Sequence, residues 1–191
     1  MTTDRFFIAF HLPSGITRYL MQVGQQLRRE LPPRVVRWVR PKNMHLTLRF
    51  MGDTKTDLIR PISDQLTQIA ARSAPATLQL SELGYFPNAN RPNVMWAGVS
   101  GDTAQLATMR IEIDQMLDQF GFKRDRFGFT PHLTLCYFKK GVSKRPKQLP
   151  AKLALKQHAF TLNSFSLVRS ERLPDGPRYT DVAMFEMGGA A

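Results

Sequence analysis

The chain carries a single cysteine, Cys136, among its 191 residues. One thiol cannot close an internal disulfide, and it cannot supply a cysteine-based zinc cluster. None of the four histidines is followed by Glu or stands two residues from another histidine, so no metal is expected. Long apolar runs are missing too. The stretch Phe6 to Phe10 is typical of the longest, and a bilayer crossing takes roughly 20 residues. Met-Thr-Thr-Asp-Arg leads into that stretch without a small-residue cleavage site, which does not read as a secretion signal. These absences set the expectation of a cytoplasmic protein with no membrane partner. Low-complexity tracts are absent, and a hydrophobic fraction of 42% suffices for a folded core.

Acidic residues are scarce. Asp and Glu total 15 against 27 Lys and Arg, a formal net charge of +12. Such an excess favours polyanionic partners and speeds encounter with them. It does not choose among RNA, DNA and an anionic membrane surface. The basic residues form no tail, and their densest stretch is Lys139 to Lys147.

The length suits one domain, 1–191, read as two similar halves at about 1–90 and 91–191. In the first, Arg5 to His11 predicts a strand. Ser14 is the expected N-cap of a helix whose apolar stripe is Ile16, Leu20, Val23, Leu27 and Leu31. Val35 to Val39 and Met44 to Met51 predict strands, the second ended by Gly52-Asp53. A helix follows over about Lys55 to Arg72, then a strand over Ala76 to Phe86. The second half repeats the order. Asn93 to Ser100 predicts a strand, and Asp102 or Thr103 caps a helix striped by Leu106, Met109, Ile113, Met116 and Phe120. Pro131 to Phe138, Phe160 to Arg169 and Arg178 to Phe185 predict strands, with a basic loop over Gly141 to Pro150. The pattern indicates an α+β chain of largely antiparallel strands with helices on the outer faces.

Two segments nearly repeat: His45-Leu46-Thr47-Leu48 and His132-Leu133-Thr134-Leu135. Both fall in predicted strands, where side chains alternate between faces. Each strand thus turns His and Thr one way and its leucines toward the core. A lone His-x-Thr carries little meaning, but two copies in corresponding places call for chemistry. Hydrolysis of a phosphodiester needs a base for water and an acid for the departing oxygen. Histidine, with a pKa of about 6.5, serves both roles near neutrality. Threonine hydroxyls two residues along can donate to the charge that builds on the non-bridging oxygens.

Asn43-Met-His-Leu-Thr-Leu-Arg-Phe-Met-Gly and Phe129-Thr-Pro-His-Leu-Thr-Leu resemble the paired motifs of the two-histidine phosphoesterases. The likeness is to the bacterial RNA 2′,3′-cyclic phosphodiesterases, historically called 2′-5′ RNA ligases. Arg5-Phe-Phe-Ile-Ala-Phe-His-Leu-Pro is similar to that family's opening strand. The segment from Leu167 to Tyr179 resembles its closing hairpin, so the likeness spans nearly the whole chain. The resemblance implies a bilobal α+β fold of two pseudo-symmetric halves, both motifs facing a central cleft. It implies metal-free, cofactor-free conversion of RNA 2′,3′-cyclic phosphate ends, tRNA fragments among them, to 2′-phosphates. By the family's usual assignment His45 is the proton donor and His132 the proton acceptor. A monomer is expected.

The sequence also departs from the family pattern. Relatives often carry Arg five residues before the second histidine and again just after the motif; here Phe127 and Tyr137 stand there. Arg124, Arg126, Lys139 or Lys140 are the candidates to supply that charge. Arg49 follows Thr47 on the same predicted strand face, a second candidate phosphate contact. Phe7, Tyr85, Phe86, Trp96 and Tyr179 can stack on bases, as single-stranded RNA recognition requires, although a core role is common for such residues. Arg178-Tyr179 is the favoured cleft-edge pair. Cys136 reads as a packed thiol, and His11 and His158 as structural or surface histidines. Three other functions use the same residues. They are 2′-5′ ligation by the reverse reaction, hydrolysis of small cyclic nucleotides, and RNA binding without catalysis.

Overall fold

The computed structural model describes residues 2–31, 33–123, 128–139, 155–174 and 176–188. The basic loop expected over Gly141 to Pro150 lies outside them, as do Arg124, Arg126, Phe127 and Lys140. In chain order the elements are β1 (Thr3–His11), α1 (Ser14–Leu27), β2 (Val36–Trp38), β3 (His45–Lys55), α2 (Ile59–Arg72) and β4 (Ala76–Phe86). Then come β5 (Val94–Gly101), α3 (Thr103–Asp118), β6 (His132–Phe138), β7 (Ala159–Leu162), β8 (Ser164–Leu173) and β9 (Gly176–Glu186). Single 3₁₀ turns at Pro41–Asn43 and Thr56–Leu58 precede β3 and α2.

All nine described strands join one sheet in the order β7-β4-β5-β6-β3-β1-β8-β9, with β2 added beside β6. Every pairing is antiparallel. The α+β class expected from the sequence is the class observed. Each side of the sheet takes strands from both parts of the chain: β4 lies beside β5, and the β8–β9 hairpin lies beside β1.

The two motif strands meet in the middle. β5 runs along one edge of β6, so β3 and β2 must share the other: β3 pairs at Leu133, β2 at Cys136 to Phe138. Beyond the Leu46–Leu133 contact, β3 and β6 therefore diverge, and the strand junction opens into a cleft.

The helices bury the stripes that their spacing requires. Ile16, Leu20, Val23 and Leu27 of α1, Ile62, Leu66 and Ile69 of α2, and Leu106, Met109 and Ile113 of α3 join one core with Phe10, Phe165, Leu46 and Leu133. Each such side chain contributes about 1.5–3 kcal/mol on leaving water.

Local chemistry differs from expectation at several ends. Ser14 lies inside α1, and the Pro13 carbonyl accepts from the Ile16 and Thr17 amides. Asp102 is the N-cap of α3, as expected, but its side chain makes no cap bond; its carboxylate accepts from the Thr77 amide at 2.8 Å and ties α3 to β4. β3 continues through Gly52, whose φ of +71° is the left-handed region open to glycine. The segment from Phe160 to Arg169 is two strands, not one. They part at Asn163, whose carbonyl accepts from the Met187 amide, and β7 and β8 go to opposite sides of the sheet.

Candidate active site

Alternation along β3 and β6 works as the repeat predicted. Leu46, Leu48, Leu133 and Leu135 are buried, and His45, Thr47, His132 and Thr134 are partly buried on the other face. Because Leu46 and Leu133 are partners in an antiparallel pair, the next positions outward bring His45 opposite Thr134 and Thr47 opposite His132. His45 and Thr134 line one cavity with Arg37, Trp38, Arg40, Asn43, Tyr137 and Tyr179. His132 lines a separate, mostly apolar cavity with Phe86, Pro87 and Thr130.

The two imidazoles are held alike. His45 Nδ1 lies 2.7 Å from the Asn43 carbonyl oxygen, and His132 Nδ1 lies 2.7 Å from that of Thr130. A carbonyl oxygen only accepts, so Nδ1 carries the proton in both rings. Nε2 is left in each as the nitrogen that can take or give one. Asn43 also fixes the hairpin: its Nδ2 donates to the Pro177 carbonyl at 3.0 Å.

Burial among aromatics sets the charge state. Phe7 and Tyr179 flank His45, with ring centroids 4.8 and 5.4 Å away. Phe86 and Trp96 flank His132 at 4.9 and 6.0 Å. Desolvation pushes His45 down to about 4, against the opposing pull of the Asn43 carbonyl, with smaller lowering from His11 and His132. His132 is lowered for the same first reason. Both rings are therefore neutral at pH 7 before an anion binds.

Arg49 does not stay on the cleft face. Ala9 pairs with Thr47 and Ile8 with Arg49, so Leu48 is an extra residue, a bulge. The alternation slips by one there and turns Arg49 inward, where it is only 3% exposed. It forms an ion pair with Asp114 of α3 at 2.6 Å and donates to the Lys123 carbonyl. The expected phosphate contact is instead a tie between sheet and helix. The same slip puts Phe50 on the open face at 59% exposed. β6 repeats the device: Trp96 pairs with Thr134 and Met95 with Cys136, leaving Leu135 as the extra residue. Cys136 is accordingly buried, its thiol pushed up to about 12, and Tyr137 faces outward.

Arg37 is the site residue that sequence reasoning missed. Its guanidinium stacks over the Tyr137 ring at 5.0 Å and lines the His45 cavity. The Tyr137 hydroxyl is raised by burial and eased by Arg37 and a hydrogen bond from Thr134. A cation thus stands beside the position where the family pattern has Arg. The only sequence signal was an Arg next to buried Val36 in a short alternating strand; its pairing with β6 was not readable.

Other expected contacts divide. Tyr179 reaches the site, whereas Arg178 turns to the opposite face and pairs with Glu171 at 2.9 Å. Lys139 is exposed at the end of β6. Tyr85 packs on Phe138, and His158 packs on Tyr19. His11, the cross-strand partner of His45, is hydrogen-bonded to Asp181 at 2.8 Å.

Two imidazoles of one tautomer, each across from a threonine hydroxyl, can pass protons at two sides of a phosphate while the hydroxyls hold its oxygens. That is the equipment of a phosphoesterase. The chain matches the model of the LigT-like phosphoesterases over residues 10–96 and 98–179, and belongs to that family of the two-histidine phosphoesterase superfamily. The RNA 2′,3′-cyclic phosphodiesterase of Aquifex aeolicus is 30% identical over 99% of this chain and 100% of its own length. That of Thermus thermophilus is 29% identical over 97% of this chain and 91% of its own. A crystal structure of a Thermus thermophilus protein superposes with a TM-score of 0.79 at 28% identity, covering 98% of this chain and 100% of that one. Escherichia coli LigT complexed with 3′-AMP shares the fold, with a TM-score of 0.74 at 23% identity over 99% and 100% of the two chains.

Proposed function

We propose that the protein hydrolyses RNA 2′,3′-cyclic phosphate termini to 2′-phosphates, with His45 and His132 as the acid–base pair. The observation that carries this reading is the matched support of the two rings, Nδ1 on a carbonyl two residues back in both. A pair of one tautomer, each with Nε2 left to exchange a proton, suits a reaction that takes a proton on one side and returns one on the other. The names of the relatives from Aquifex and Thermus support the substrate class.

In this scheme the phosphate sits between the rings. His132 takes a proton from water as its oxygen attacks phosphorus. The bond from phosphorus to O3′ breaks, and His45, protonated beforehand, gives its proton to the departing 3′-oxygen. The product is a 2′-phosphate and a 3′-hydroxyl, and the proton count balances. Thr47 and Thr134 donate to the non-bridging oxygens. Tyr179, against the His45 ring, forms a wall for the terminal nucleotide. The anionic substrate raises the lowered His45 pKa on binding, so it charges its own acid. No step calls on a metal or a cofactor, and the described residues gather no group of three or more His, Cys, Asp or Glu side chains that could hold an ion.

The test is hydrolysis of a short RNA ending in a 2′,3′-cyclic phosphate, in EDTA, by the unmodified protein and by His45→Ala and His132→Ala. Conversion to the 2′-phosphate that is lost in both variants is expected. Turnover that needs an added metal, or survives either substitution, rejects the scheme.

A further inference from the structure

A groove of about 550 Å³ extends from the His45 side of the site, and apart from Tyr179 its residues have no part in the scheme above. It shares Arg37, Gly176, Pro177 and Tyr179 with the His45 cavity, so the two are continuous. Its floor is β1 and β3, and its far wall is the β8–β9 hairpin.

The hairpin register sorts charge between its faces. Ser170 pairs with Tyr179, Glu171 with Arg178, and Arg172 with Pro177. Alternation puts Glu171 and Arg178 on the outer face, where they neutralise each other. Ser170, Arg172, Pro177 and Tyr179 are left lining the groove. Arg5 of β1 and Arg37 of β2 add two more guanidinium groups, and no described residue lining the groove is acidic. Arg37 lies against the hairpin turn: a Cβ placed on Gly176 would stand 3.5 Å from its Nη1. Phe50, put on this face by the Leu48 bulge, exposes most of its ring and leans on Phe7 at 5.9 Å.

Asp53 is the cross-strand partner of Arg5, but an exposed aromatic ring beside several guanidinium groups is still what single-stranded nucleic acid requires. Bases stack on the ring and phosphates lie along the cations. A mononucleotide held between the histidines would leave this groove empty. An RNA whose cyclic end is held there must continue from its 5′ side, and the groove offers a continuous path. We infer that Arg5, Phe50 and Arg172 form a subsite for the penultimate nucleotide of a single-stranded RNA 3′ end, its base on Phe50 and its phosphate on the arginines. This selects oligonucleotides over cyclic mononucleotides, and it rests on RNA-end hydrolysis as the reaction.

The test compares kcat/KM on a nucleoside 2′,3′-cyclic monophosphate with that on a single-stranded tetranucleotide ending in the same group. Phe50→Ala and Arg172→Gln alter exposed side chains and should fold normally. The unmodified protein is expected to favour the tetranucleotide. Each variant should lose about 10-fold on it through KM, the scale of one stacked base or phosphate contact, with mononucleotide turnover unchanged. No preference in the unmodified protein, or equal losses on both substrates, overturns the subsite. Anisotropy of a labelled tetranucleotide ending in a 2′-phosphate separates the two readings. If neither cyclic substrate turns over, hydrolysis fails as the reaction and binding still decides the groove. Weaker binding by both variants, with a salt slope shallower by about 0.7 for Arg172→Gln, supports it, and binding equal to the unmodified protein overturns it.

Discussion

Leu46 of β3 and Leu133 of β6 pair at the centre of the sheet, and the antiparallel register that they set places each histidine of the repeat across from the other motif's threonine. His45 is opposite Thr134, and His132 is opposite Thr47. Each half of the site is therefore completed by the other strand.

This crossing predicts that the threonines act on the shared phosphate. Thr47→Val and Thr134→Val should each lower kcat by about 10²-fold, the effect of losing one transition-state donor, with the fold intact by circular dichroism. His45→Ala and His132→Ala should cost about 10²–10⁴-fold. Unchanged kcat in both threonine variants would show that the hydroxyls serve only the sheet.

The lowered histidines fix the direction of the pH response. Activity needs one ring charged and one neutral. Raising pH above both values removes the acid, and lowering it below both removes the base, which gives a bell. With His45 at about 4 and His132 below 6.5, the bell for kcat/KM, which reports the free enzyme, is centred below pH 6.5. The bound phosphate anion raises both rings, so the kcat profile should lie to the alkaline side. Initial rates from pH 4 to 9 check both, and a kcat/KM maximum above pH 7 would contradict the burial argument.

Asp114 holds Arg49 at 2.6 Å and Arg110 at 2.7 Å, and Arg110 also donates to the Leu48 carbonyl at the bulge. Asp114→Ala leaves two buried guanidinium groups without their shared carboxylate. It should cost about 3 kcal/mol, roughly 6–12 °C of Tm in a domain of this size, with KM unchanged. A raised KM at unchanged Tm would return Arg49 to the phosphate site.

Cys136 should be inert. With its thiol buried and raised to about 12, the folded protein should resist a thiol reagent at pH 7.5 and react once unfolded. Cys136→Ala should keep kcat within about twofold, because the side chain faces the core.

The sequence by itself determined the parts that depend on local periodicity. The spacing of Ile16, Leu20, Val23 and Leu27 prescribes a buried helix stripe, and His-Leu-Thr-Leu prescribes polar and apolar faces on a strand, because side-chain direction repeats every 3.6 or 2 residues. The repeat by itself also singles out the histidine pair. Tertiary structure decided what periodicity cannot carry. The bulges at Leu48 and Leu135 come from one extra residue against a partner strand, and they exchange the faces of Arg49 with Phe50 and of Cys136 with Tyr137. The split of Phe160 to Arg169 into β7 and β8 depends on which edges of the sheet remain to be paired. Arg37 reaches the site because β2 fills the edge of β6 that β3 leaves. Each of these is set by pairing between segments far apart in the chain, where the free energy lies in contacts that no short window of sequence contains.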